Sequence, residues 1–293
     1  MPPALAPERV IACLGLISDT HMPKRWPQLP PAVFDVFRGV DLVLHAGDVG
    51  RLWVLDELSA AAPVVAVHGN DETDEAQREL PYQQLLTLGG HRLLLCHGHL
   101  PDREAEMASR IGDDWRPKLA QRAAQARRAG ARLMVFGHLH VPFVTQHDGV
   151  WLVNPGAIAS GSAFTRQTRQ TVALLYLRDD GQPFVVHVDL ARPDWPCDAA
   201  VEWEAGFTAA LNRHEAFFPD PRLRPAVAAL RASRFRFERR LWAALSRIGM
   251  PYFTGEKSVL GAEEMLAGIE AADEFSVVER AELLALVRDH LAE

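Results

Sequence analysis

The sequence predicts an α/β layered domain followed by a helical appendage. Short apolar runs rich in Val, Leu and Ile recur from residue 10 to about 189, separated by polar clusters. Helix-like stretches fall between several of these runs, and strands crowd together in the second half of the region. Beyond Arg192 the pattern turns helical, with almost no strand signal. The composition, 48% hydrophobic and 24% charged, is that of a folded globular chain and excludes disorder for the bulk.

In chain order, the runs Val10–Ser18, Asp41–Ala46, Val64–His68, Gln84–Leu88, Arg92–Cys96, Arg132–Phe136, Val150–Val153, Thr171–Leu177 and Pro183–Asp189 read as strands. They are short, and polar or turn-forming residues bound them. Pro31–Arg38, Arg51–Ala61 and Pro117–Ala129 read as helices. The segment from Arg192 through Asp194, Trp195 and Pro196 reads as a linker, dividing the chain into residues 10–191 and 192–293. In the second part Phe237, Leu241, Ala244, Leu245 and Ile248 fall at helical spacing. Ser276 and Glu279 form a capping box before Val277–Leu291. The stretch Met250–Gly255, with Pro251 inside it, reads as an interruption and a candidate loop over a cleft.

Lys and Arg number 31 against 38 Asp and Glu, a net charge of −7. That balance argues against a general cationic coat for nucleic acid. The local exception is Arg231–Arg240, five Arg interleaved with two Phe and one Glu. It reads as the solvated face of an amphipathic helix, with guidance of a nucleic-acid substrate as the alternative. Three scattered cysteines (Cys13, Cys96, Cys197) suit neither a disulfide framework nor a cysteine-based zinc site. The Val10–Ile17 run falls far short of the ~20 residues that span a bilayer. A cytoplasmic protein with no membrane partner is expected.

The chemistry-bearing residues gather at the C-terminal ends of the expected strands. Asp19-Thr20-His21 ends the first, Gly47-Asp48 the second and Gly69-Asn70 the third. His97-Gly98-His99 follows Leu93–Cys96, and Gly137-His138-Leu139-His140 follows Leu133–Phe136. Strand ends of an α/β sheet form the usual ligand crevice. Residues i and i+2 of an extended chain share a side, so Asp19 and His21, or His138 and His140, can converge. Carboxylates and neutral imidazoles suit divalent first-row metals.

The ordered set DxH, GD, GN, H, GHxH resembles the calcineurin-like metallophosphoesterase superfamily. Asn154-Pro155-Gly156 is similar to a segment of its small bacterial YfcE-like phosphodiesterase branch. The resemblance covers about residues 10–189. It implies a four-layer αββα sandwich and a site for two divalent metal ions, with manganese expected and iron, zinc or nickel as alternatives. It also implies that Asp19, His21 and His140 hold one ion, that Asn70, His97 and His138 hold the other, and that Asp48 bridges them. The implied reaction is hydrolysis of a small phosphoester by a hydroxide bridging the metals. A protein-interaction scaffold of the same fold, with an altered metal site, is known in a retromer subunit. It is the non-enzymatic alternative.

The chain departs from the family pattern at Asp71. Many members carry His there, thought to protonate the leaving group, and YfcE-like relatives often carry Cys. An ionised Asp is a poor proton donor, and its charge would disfavour a dianionic monoester. A phosphodiesterase is therefore expected, with phosphomonoesterase activity on a small metabolite as the alternative. Asp48 is followed by Val49-Gly50-Arg51, which matches neither the GDxxY of purple acid phosphatases nor the GDxxDRG of protein phosphatases. His99 is the second catalytic candidate, for phosphate contact or support of the ligands. His45 and His68 read as strand-end residues, Asn154 as a turn residue or a ligand-orienting amide, and Cys96 as core. The sequence leaves the oligomeric state open.

Overall fold

The computed structural model describes residues 9–102, 104–106, 109 and 112–291, with the side chains of 234–236 and 238 left aside. Two five-stranded sheets stack face to face. The first is ordered β11-β10-β1-β2-β3, from β1 (Val10–Ile17), β2 (Leu42–His45), β3 (Val64–Ala66), β10 (Thr171–Arg178) and β11 (Phe184–Asp189). The second is ordered β4-β5-β6-β8-β7, from β4 (Gln83–Leu88), β5 (His91–Cys96), β6 (Leu133–Val135), β7 (Phe143–His147) and β8 (Val150–Asn154). The chemistry-bearing strands run parallel: β1 with β2 and β2 with β3, β5 with β6 and β6 with β8.

The layering follows from the alternation along each strand. Leu14 and Leu16 turn inward to Leu93, Leu95, Leu133, Val135 and Leu175 between the sheets. Ile17 faces the opposite side, packing with Val33 and Phe37 and with Val54 and Leu58. Those residues belong to or adjoin helices α1 (Ala32–Val36) and α2 (Trp53–Leu58). On the far side, Leu94, Cys96, Met134 and Phe136 pack on Trp115, Leu119 and Ala123 of α4 (Trp115–Arg128). The central strands are buried on both faces, which explains their near-continuous apolar runs. The expected four-layer αββα sandwich is present, with Cys96 in its core.

Several short elements escape the sequence pattern. Strand β7 reads Phe-Val-Thr-Gln-His, a half-exposed edge strand with too few apolar residues to stand out. Helix α3 (Asp74–Glu79) has only one buried side chain, Ala76, and starts where Thr73 caps it. A further ribbon joins β9 (Thr165–Gln167) to β12 (Glu215–Phe217), so the part after 192 does contribute a strand.

The C-terminal part is helical as expected. After the short α5 (Phe207–Asn212), helices α6 (Arg224–Ala232), α7 (Arg234–Phe253), α8 (Ala262–Glu270) and α9 (Val277–Asp289) share a core that includes Leu230, Leu241, Met265 and Leu283. The Ser276–Glu279 capping box is formed at the start of α9. Met250–Gly255 differs from expectation, because α7 runs through Pro251 to Phe253. An interior proline costs about 3 kcal/mol. Full burial of Tyr252 and Phe253, each worth about 1.5–3 kcal/mol, offsets it. Replacing the fully buried Leu241 with Ala is expected to cost about 2–5 kcal/mol, read as a lowered urea midpoint.

Contacts cross the expected boundary at 192. Val188 bridges to Pro196, and the Cys197 N–H donates to the His187 carbonyl at 2.7 Å. Trp203 and Phe207 meet Trp115 edge-on at 5.0 and 5.2 Å between ring centres. Phe164, from the loop before β9, lies in the same core as the C-terminal helices. Among the described residues, no helix is long and apolar enough to cross a membrane.

Candidate metal centre

The loops that leave β1, β2, β5 and β6 meet where the two sheets adjoin. Backbone and side chain stitch them together: the Asp19 N–H donates to Gly47 O at 3.0 Å and the His21 N–H to Asp48 O at 2.9 Å. The His138 N–H donates to Asp19 Oδ2 at 3.0 Å, and Asn154 Nδ2 to Gly137 O at 2.7 Å. Asn154 thus fixes the GHxH turn, the orienting alternative for that residue. Two glycines permit the close approach. A side chain at Gly69 would strike the Asp48 carboxylate at 2.0 Å, and one at Gly137 would strike Asp19 Oδ2 at 2.6 Å. Asp19, His21, Asp48, His138 and His140 all sit at positive φ, between 47° and 68°. Non-glycine residues seldom adopt that region, and such strain clusters at functional sites.

Five of the expected ligands converge. Asp19, His21 and His140 form one group of potential ligand atoms within 4.8 Å of one another, and Asp19, Asp48 and His97 form a second. Asp19 Oδ1 lies 3.1 Å from His140 Nε2 and 3.9 Å from Nε2 of both His21 and His97. Asp48 Oδ2 lies 3.5 Å from His21 Nε2 and 3.3 Å from His97 Nε2. Asp19 Oδ1, His21 Nε2 and His97 Nε2 are buried without a hydrogen-bond partner in the protein. Buried polar atoms are normally satisfied, so three orphans gathered around Asp19 Oδ1 fit a cation site.

The ring orientations agree. His97 Nδ1 is 2.8 Å from the Ala46 carbonyl and His140 Nδ1 is 2.9 Å from the Glu215 carboxylate. The Ala46 carbonyl accepts only, so in the neutral His97 ring the proton belongs on Nδ1 and Nε2 is left facing the cluster, whereas His140 Nδ1 is in ion-pair range of Glu215 without an aligned hydrogen bond. The local field is strongly negative. Burial alone would lower both imidazoles. Asp48 and Asp19 nevertheless push His97 up to about 9, and Asp19 with Glu215 pushes His140 up to about 10. Carboxylates that draw protons this strongly would draw a divalent ion as well.

The other expected site residues are placed differently. His138 Nε2 is 2.8 Å from Glu106 Oε1, and its ring lies 5.0 Å from that of His97. Asn70 is exposed beside the buried Gly69. His99 packs edge-on against Tyr82 at 5.1 Å and lies 5.4 Å from the His97 ring. Burial, then the charges of His97 and His138, hold it down at about 3. It remains neutral and borders the ligands. His45 bridges Thr20 and the Gly47 N–H, and His68 lies against Tyr82, as strand-end residues.

Asp71 is ionised, as expected. Burial opposes that state, but Arg25 foremost, then His21 and Lys24, holds its carboxyl well below the usual range. Its expected repulsion of a dianion is corrected by the same partners: Arg25 Nη2 at 2.6 Å and Lys24 Nζ at 2.9 Å offset its charge. Four residues with evident work escaped the sequence reading. Arg25 is buried, and its N–H closes a turn onto the His21 carbonyl at 2.9 Å. Glu72 accepts the N–H groups of Val49, Gly50 and Gly69 and ties the Asp48 loop to the Asn70 loop. Glu106 and Glu215 each hold one histidine of the GHxH turn. A glutamate after GN was the only local signal, and it marked Glu72.

The family model described as "Calcineurin-like phosphoesterase superfamily domain" matches residues 13–180. A probable metallophosphoesterase of Methanothermobacter thermautotrophicus is 35% identical over 145 residues, covering 49% of this chain and 76% of that protein. The phosphodiesterase YfcE of Escherichia coli is 31% identical over 105 residues, 34% of this chain and 46% of that protein. Among solved structures, Vacuolar Protein Sorting 29 of Cryptosporidium parvum aligns with 61% of this chain and 98% of its own, at 20% identity and a TM-score of 0.45.

Proposed function

This chain belongs to the calcineurin-like phosphoesterase superfamily, and on that premise we propose that it is a hydrolase of small phosphoesters dependent on two divalent metal ions, most active on diesters. The observation that carries the reading is the set of buried, unpartnered atoms on Asp19, His21 and His97, with both Nε2 atoms 3.9 Å from Asp19 Oδ1. In this reading Asp19, His21 and His140 hold one ion, Asp48 is shared, and His97, His138 and Asn70 serve the other. Ions held there would supply Lewis-acid activation of water and of the phosphoryl group. Manganese is the proposed ion, and iron, zinc and nickel suit the same donors.

The protein's own groups bind, orient and exclude water. Buried Arg25 and half-buried Lys24 place two cations within 2.6 and 2.9 Å of Asp71. Asp71 carries no proton to give, so the leaving group departs with little acid assistance. That favours esters with good leaving groups, and it now carries the diester preference alone. The two cations beside Asp71 favour a second reading, a phosphomonoesterase, because they leave that corner with positive charge to spare. The Arg231–Arg240 stretch supports a nucleic-acid substrate less than its composition implied. Arg231 bonds Ser162, Arg239 pairs with Asp74 and Arg240 with Glu279.

A paired assay on metal-stripped protein tests the reading. Manganese is added back and hydrolysis of bis-p-nitrophenyl phosphate and p-nitrophenyl phosphate is followed. Metal-dependent cleavage with the diester faster is expected. Activity on neither ester with any of the four metals would move a non-catalytic scaffold to the front. Asp71→Asn unmasks Arg25 and Lys24, so it is expected to shift the rate ratio towards the monoester. An unchanged ratio would mean that Asp71 does not govern the choice.

A further inference from the structure

Glu215 stands outside the residues 13–180 that match the family. It belongs to β12, which the C-terminal part delivers to β9 by pairing Glu215 with Gln167, Ala216 with Arg166 and Phe217 with Thr165. The carboxylate is buried, with 9% of the side chain exposed, and Oε1 lies 2.9 Å from His140 Nδ1. Oε2 accepts from Thr165 Oγ1 at 2.8 Å. Oε2 is thereby held by Thr165, which directs Oε1 to within ion-pair distance of His140 Nδ1, a buried nitrogen with no other hydrogen-bond partner.

The same network continues to the second histidine of this group. Thr165 Oγ1 is 2.5 Å from Ser160 Oγ. The Ser160 carbonyl accepts from Arg25 Nη1 at 3.1 Å, and Arg25 Nη1 lies 3.2 Å from His21 Nδ1. His140 and His21 thus face Asp19 with their Nε2 atoms while one chain of polar contacts runs behind both, but only His140 has an acceptor there; behind His21 stands Arg25, which can only donate to Nδ1. A carboxylate on the far nitrogen of a metal-bound histidine fixes its tautomer and ring orientation and raises its basicity.

We infer that Glu215 is a positioning residue of the metal centre, holding His140 with Nε2 towards Asp19, so that the C-terminal part completes the site rather than merely covering it. This rests on the reading that His140 binds a metal. The burial of Glu215 and its two partners leave it no role at the surface, and no other acidic side chain among the described residues is shown against His140 Nδ1.

The test is manganese(II) binding to the full-length protein, by calorimetry, for wild type, Glu215→Ala, Glu215→Gln and Thr165→Val. Glu215→Ala is expected to weaken manganese binding by about 10- to 100-fold. Glu215→Gln, whose amide oxygen still accepts from Nδ1–H, is expected to lose less, and Thr165→Val to fall between wild type and Glu215→Ala. Such grading is the signature of orientation, since a purely structural role would alter thermal stability without ordering the affinities in this way. Wild-type affinity in folded Glu215→Ala would overturn the inference and leave the metal reading standing. Failure of the wild type to bind any divalent ion would overturn both. Where Glu215→Ala does not fold, the near-isosteric Glu215→Gln and Thr165→Val decide: affinities equal to wild type in both overturn the inference.

Discussion

Asp48→Asn is expected to lower metal-dependent hydrolysis by at least about 100-fold, since even residues that only orient ligands cost 10–100-fold when removed. The substitution keeps size and shape. Its side-chain oxygen can still accept the Asp71 N–H, which Asp48 Oδ1 now accepts at 2.8 Å. What it removes is the charge of the carboxylate that lies within 3.5 Å of both His21 Nε2 and His97 Nε2. A neutral amide is a weak ligand for a divalent ion, and one of the two buried carboxylates of the cluster is then gone. The measurement is the rate with added manganese together with the number of ions bound. A variant that folds, binds the wild-type number of ions and keeps the wild-type rate would remove Asp48 from the metal centre.

Glu72→Ala should have the largest effect on stability of any change near the site that leaves the proposed ligands intact. Glu72 accepts three backbone N–H groups, from Val49 at 2.9 Å, Gly50 at 2.8 Å and Gly69 at 3.0 Å. Removing it strands those donors and unties two loops that carry proposed ligands. Loss of an acceptor shared by three donors costs about 3 kcal/mol, or about 5 °C in Tm at the size of this 293-residue chain. Glu72→Gln retains acceptor oxygen and should lose less. A melting temperature within about 2 °C of wild type for Glu72→Ala would show that water replaces the carboxylate without cost.

Legibility in the sequence tracked locality. Asp19 and His21 are two residues apart just beyond an apolar run and do converge, though through left-handed backbone rather than strand alternation; His138 and His140 share that spacing, yet only His140 joins the cluster. The layers were equally legible, because strands buried on both faces betray themselves by continuous apolar runs. Glu106 and Glu215 were not. They lie 32 positions before His138 and 75 after His140, and nothing in the sequence separates them from the other 36 of the chain's 38 acidic residues. The offset charge of Asp71 was hidden for the same reason, since Arg25 is 46 positions earlier. Pro251 misled in another way. The proline rule is local, whereas the burial of Tyr252 and Phe253 that overrides it is tertiary. The division at 192 remains a proposal drawn from composition, and the ribbon of β9 and β12 shows why composition cannot see across it.

The positive-φ backbone at Asp19, His21, Asp48, His138 and His140 has an evolutionary consequence. Each non-glycine residue there costs the fold on the order of 1–2 kcal/mol that glycine would not. Mutation to glycine at any of the five is therefore a step towards a more relaxed chain and away from a working one. A lineage released from the need to bind ions would be expected to drift that way. A lineage that keeps side chains at these positions holds them against the pull of its own stability.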